Sequence, residues 1–126
     1  MTAWTPAQLT ALGPAPQAFL SAREPDGTLS APAPVWIARV YDELYVRSIY
    51  GANDPFFRRA IGTGRASILA GKAQHDVLLE QLAVTPAEFT VVDAGFRSKY
   101  AVSPPAIMGA VAGGLSAQAT LRIVPA

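Results

Sequence analysis

The chain has 126 residues and a mass of 13.2 kDa; 51% of the residues are hydrophobic and only 15% are charged. One domain of that size hides roughly two-thirds of its unfolded surface, so a true core is available. Ten basic against nine acidic side chains leave a formal +1, which excludes the basic footprint of a general nucleic-acid binder; with no cysteine and a single histidine, His75, thiolate and histidine-rich metal sites are excluded as well.

Charged residues usually make up about a quarter of a globular chain. The shortfall predicts that part of the outer surface is covered, most simply by a second copy, so a homodimer is expected. Met1 to Leu12 lack a basic start and an apolar core. No secretion signal is expected there, and the chain reads as cytoplasmic.

In chain order, Thr5-Pro6-Ala7-Gln8 carries a capping box and a first-turn proline, which predicts a short helix ending by Gly13-Pro14. Ala18 to Arg23 reads as a strand, and Pro25-Asp26-Gly27 as a turn. Pro34 to Tyr41 and Leu44 to Tyr50 form a predicted hairpin about Asp42-Glu43, with Tyr41 opposite Leu44 and Ala38 opposite Arg47. One face then carries Val35, Ile37, Arg39, Tyr41, Leu44, Val46 and Ser48. The other carries Trp36, Ala38, Val40, Tyr45, Arg47 and Ile49. Both faces are apolar, as in a barrel strand covered outside by a helix or a partner.

Asn53 and Pro55 open a second short helix through Phe56 to Ile61, which stops at Gly62-Thr63-Gly64. Ala66 to Ala70 is a predicted strand, Gly71-Lys72 a turn, and Ala73 to Val84 a longer strand. Thr85-Pro86-Ala87-Glu88 repeats the capping box and opens a helix to Tyr100, with an apolar stripe of Phe89, Val92, Phe96 and Tyr100. From Ala101 to Leu121 no charge occurs over 21 residues, nominally a membrane-spanning length. Pro104-Pro105 and Gly113-Gly114 break the continuous helix that lipid requires, so this stretch reads as a buried loop, a short helix and the lead-in to a last strand, Thr120 to Val124. Six strands with helices between them, and no repeat or linker, predict one α+β domain over residues 1–126, a six-stranded barrel.

The segment most informative about chemistry is Leu44 to Arg65. It holds Arg47, Arg58, Arg59 and Arg65 against one acid, Asp54. Arginines beside a capped helix start suit a phosphate, because guanidinium forks match its oxygens and the helix start adds free amides. The alternative is that they pair with distant acids such as Asp76 or Glu80, or lie at a dimer interface. Arg97, Lys99 and Tyr100 end the second boxed helix. They either complement its dipole, with Asp93 paired to Arg97, or close over a ligand. His75 and Asp76 are strand neighbours on opposite faces and make no catalytic triad with Ser48 or Ser67. The chain is poor in catalytic groups of its own, so any chemistry falls to a bound cofactor.

Leu44-Tyr45-Val46-Arg47-Ser48-Ile49-Tyr50-Gly51, Pro55-Phe56-Phe57-Arg58-Arg59, Gly64-Arg65, Phe96-Arg97-Ser98-Lys99-Tyr100 and Ala119 to Pro125 together carry a resemblance. The chain resembles small bacterial proteins of unknown function grouped with the flavin-binding split barrels (pyridoxamine-phosphate-oxidase-like), close in layout to the deazaflavin-dependent nitroreductases. The resemblance implies a dimeric six-stranded split β-barrel with FMN or a deazaflavin near the subunit boundary. It implies an oxidoreductase that passes hydride to a small acceptor such as a quinone or nitro compound. Arg47, Arg58 and Arg59 are then expected at the phosphate, Ser48 and Tyr50 beside it, and Phe57 on the ring. Trp36, Arg97 and Tyr100 are expected on the substrate side. Where nitroreductase relatives carry a tryptophan–aromatic–His–Asn stretch, this chain has Phe56-Phe57-Arg58-Arg59. Two other readings therefore stand beside the first: a non-enzymatic barrel binding a small anion, and a ligand-free structural dimer. Neither nucleic acid nor membrane is an expected partner.

Overall fold

Apolar residues at alternate positions on both faces of residues 33–48 fix the centre of the architecture. In a computed structural model that describes residues 3–16, 18–48, 55–81, 86–100 and 120–126, they form β2 (Ala33–Val40) and β3 (Glu43–Ser48). Around them lie α1 (Pro6–Leu12), β1 (Ala18–Ala22), α2 (Pro55–Thr63), β4 (Arg65–Ala70), β5 (Ala73–Gln81), α3 (Pro86–Lys99) and β6 (Thr120–Pro125). Every strand pairing is antiparallel, and the sheet closes into a six-stranded barrel in the order β1-β2-β3-β6-β5-β4. Closure leaves no exposed sheet edge.

The barrel interior is built from one face of each strand: Leu20, Val35, Ile37, Val46, Ile68 and Ile123 are among its buried side chains. Each such side chain contributes about 1.5–3 kcal/mol when fully buried. α1 adds Leu9 and Leu12 to this core, and its start is held as expected: the Thr5 hydroxyl accepts from Gln8 N, and Gln8 Oε1 accepts from Thr5 N. Trp4 anchors the same end through an indole N–H to Ile123 O bond of 2.9 Å.

The outer face of β2–β3 is covered by α3, as its apolar pattern required. Val92, Phe96 and Tyr100 pack there on Ala38 and Tyr45, with Trp36 and Val40 at the margin. Gly95 lets the helix approach closely, because a Cβ there would lie 2.7 Å from Val40 Cγ2. The outer face of β1–β4 is different: Phe19 and Leu69 are direct cross-strand partners and stand 39% and 37% exposed.

The β2–β3 turn corrects the expected register. Val40 faces Glu43, Ala38 faces Tyr45 and Trp36 faces Arg47, so the turn is Tyr41-Asp42 rather than Asp42-Glu43. A slip of two residues leaves every side chain on its expected face, so hydrophobic patterning does not distinguish the two registers. Local bonds favour the observed one: Arg39 Nε donates to Tyr41 O at 2.7 Å and its guanidinium lies 3.7 Å from Asp42, with Tyr41 at φ 55°. Ile49 and Tyr50, the cap at Asn53, residues 82–85 and the loop and helix expected over 101–119 lie outside the described residues. Among the described residues no helix is long and apolar enough to cross a membrane.

Candidate functional site

Strand alternation places Arg47 on the outer wall of β3, opposite Trp36, in the layer that α3 covers. Asp93, seven residues before Tyr100 on the same helix stripe, turns into that layer. Arg47 Nη1 donates to Asp93 Oδ1 at 2.8 Å, and Arg47 Nε donates to Thr120 Oγ1 at 2.8 Å on the neighbouring strand β6. Its guanidinium carbon stands 4.3 Å from the Phe96 ring centroid, a cation–π contact in a dry setting. Asp93 Oδ2 accepts from Arg97 Nε at 2.7 Å, so one carboxylate serves two arginines. Burial lowers the Arg47 pKa, and the Asp93 hydrogen bond and charge oppose that shift.

This geometry corrects the expectation that Arg47 faces a phosphate. Its side chain is 0% exposed and its guanidinium ties β3, β6 and α3 together. Its acid partner is Asp93, rather than Asp76 or Glu80. Asp76 instead holds Arg23 at 2.9 Å, and Glu80 holds Arg122 at 3.4 Å.

Lys99 and Tyr100 form a second knot at the end of α3. Lys99 Nζ donates to Gly13 O at 2.7 Å, to Ile37 O at 2.5 Å and to Ala15 O, pinning the α1–β1 connection to β2. Burial brings the Lys99 pKa down to about 8. Tyr100 Oη accepts from Ile37 N at 3.3 Å and has Pro16 O at 3.0 Å and Ile37 O at 3.2 Å as acceptors. Burial raises its pKa, and the Ile37 backbone bond partly offsets that. These two residues brace the helix against the barrel.

The remaining expected residues fall elsewhere. Arg58 and Arg59 are exposed on α2, and Arg59 lies 3.8 Å from Glu24. Arg58 and Arg65 make no ion pair with a described carboxylate, whereas the other six arginines each have one. Arg97 is 55% exposed beside Asp93. Trp36 meets Tyr100 edge-on at 5.1 Å, and its buried indole N–H has no acceptor among the described residues. Ser48 ends β3 and Phe57 lies in α2, but their side chains fall outside the description, as does the whole of Tyr50. Trp36, Arg47, Arg97 and Tyr100 are thus gathered in one layer under α3, while Arg58 and Arg59 belong to α2. Missing from the sequence reading are the roles of Thr120 and Arg23. Asp93 was legible only as the partner of Arg97.

No curated protein matches the chain. Its fold is similar to that of a FAD-binding protein from Mesorhizobium loti, with a TM-score of 0.56, 20% identity, and coverage of 98% of this chain and 91% of that one. At that identity the similarity is one of fold. The profile of a bacterial family described as uncharacterized conserved proteins, DUF2255, matches residues 8–123, and the chain belongs to that family.

Proposed function

We propose that this barrel binds a flavin-type cofactor, FMN or a deazaflavin, as a homodimer, and serves as an oxidoreductase for a small acceptor such as a quinone or nitro compound. The observation that carries the reading is the barrel itself, similar over nearly its whole length to that of a FAD-binding protein. The residues present fit such a group at two points. Arg58 and Arg59 offer exposed guanidinium donors on α2 for a phosphate, and the Trp36 N–H, without an acceptor among the described residues, offers a donor for a ring carbonyl. In this reading Ser48, Tyr50 and Phe57 are assigned to the same cofactor, and Arg97 lies at the margin of the Trp36–Tyr100 layer. Arg47 does not fit as a ligand; it holds the wall that carries Trp36. A bound flavin supplies the hydride chemistry.

A non-enzymatic binding barrel is the second reading. It is favoured by the engagement of Lys99 and Tyr100, the acid–base groups shifted by burial, with backbone carbonyls. Titration of FMN and riboflavin by flavin fluorescence tests the assignment. The double variant Arg58→Ala/Arg59→Ala is expected to weaken FMN by tenfold or more and leave riboflavin unchanged, since hydrogen bonds to charged groups are worth about 1.5–3 kcal/mol. Equal loss for both ligands, or no binding of either, contradicts it.

A further inference from the structure

We propose that the shoulder where the end of β1, the start of β4 and the C-terminal end of α2 meet is a binding site for a phosphate group, with Arg23 and Arg65 as its ligands. Two clefts open there. One, of about 390 Å³, is lined by Arg23, Glu24, Gly27, Gly62, Thr63 and Arg65. The other, of about 290 Å³, is bordered by Arg23, Arg65, Asp76, Leu78 and Ala126 among others. The same two arginines border both, so an anion held there has two guanidiniums within the same lining.

The two cations are prepared differently. Arg23 is held in place: Nη1 donates to Gly27 O at 2.7 Å and Nη2 to Asp76 Oδ1 at 2.9 Å. A guanidinium has five N–H donors, so its remaining hydrogens are available in a fixed orientation. Arg65 is exposed at the first position of β4, and no described carboxylate neutralises it. The acidic side chains facing the clefts are Glu24 and Asp76, and each already has an arginine, Arg59 at 3.8 Å and Arg23 at 2.9 Å. With Arg23 and Arg65 against Glu24 alone, the first cleft keeps a net positive charge. Two neighbouring forks suit the several oxygens of a phosphate better than the two of a carboxylate. Leu78, partly exposed on the outer face of β5, lines the second cleft and offers an apolar contact for the body of a phosphate ester.

The inference stands without the flavin reading, and one experiment separates them. The arginine Nε–Hε resonances of the full chain are followed by NMR during titration with inorganic phosphate at constant ionic strength. Saturable shifts are expected at Arg23 and Arg65. Affinity should fall at least tenfold in Arg65→Gln and stay unchanged in Arg39→Gln, a control at the β2–β3 turn. No saturable shift, or equal effects of the two variants, overturns the proposal. Parallel titrations with FMN and riboflavin identify the source of the phosphate. Shifts at Arg65 with FMN but not riboflavin assign the group to the cofactor, whereas shifts with inorganic phosphate alone assign it to another ester. Arg65-dependent phosphate binding without flavin uptake leaves this site intact and removes the proposed function. Flavin uptake with no response at Arg65 to either phosphate or FMN does the reverse.

Discussion

Asp93 holds two arginines with one carboxylate, and the two bonds differ in what surrounds them. The bond to Arg47 lies in a dry layer, whereas Arg97 is more than half exposed. Removing one partner of a buried pair costs about 3–5 kcal/mol, because a charge is left without compensation. A half-exposed pair is worth about 0.2–1 kcal/mol. Chemical denaturation should therefore show Asp93→Ala destabilised by about 3–5 kcal/mol and Arg97→Ala by under about 1 kcal/mol; comparable losses would place the two arginines in equivalent settings. Lys99 yields a pH dependence. Its folded pKa of about 8 lies below the ordinary lysine value of 10.5, so between those limits the unfolded chain holds a proton that the folded chain has released. Stability then rises with pH across that window. The stability of the wild type relative to Lys99→Met should increase from pH 8 to pH 10; a decrease would show that the three carbonyls outweigh the burial of the charge.

At the scale of elements, α3 is the part that makes this barrel more than a closed sheet. It seals the outer wall of β2–β3 and, with Tyr100 directly after it, supplies Asp93 and Lys99 to its two knots. The fit depends on Gly95. Gly95→Ala places a methyl against Val40 and should cost about 1–3 kcal/mol by thermal unfolding, where an unstrained helical glycine would gain stability from the same change. The elements themselves were legible because local signals agreed: capping boxes at Thr5 and Thr85, a turn at Gly71-Lys72, and an apolar pattern on both faces of β2 and β3 that demanded a cover. The hairpin register was not legible, since a two-residue slip preserves every face and the deciding bonds come from Arg39. Nor was the partner of Arg47, because Asp93 lies 46 residues away and its spacing to Arg97 already accounts for it.

For the whole molecule, the barrel has one outer wall covered by its own helix and another where Phe19 and Leu69 face outward side by side. A homodimer proposed through that second wall gives the low charge content a physical use. Sedimentation equilibrium should find the wild type dimeric and Leu69→Glu monomeric; a monomeric wild type contradicts the assembly. Flavin binding is the central claim, and the visible absorption spectrum of purified protein tests it most directly. The protein is mixed in turn with FMN, FAD and a deazaflavin, and desalted before each spectrum. The account predicts a retained flavin band in stoichiometric amount with at least one of them. A colourless protein after all three additions would contradict it.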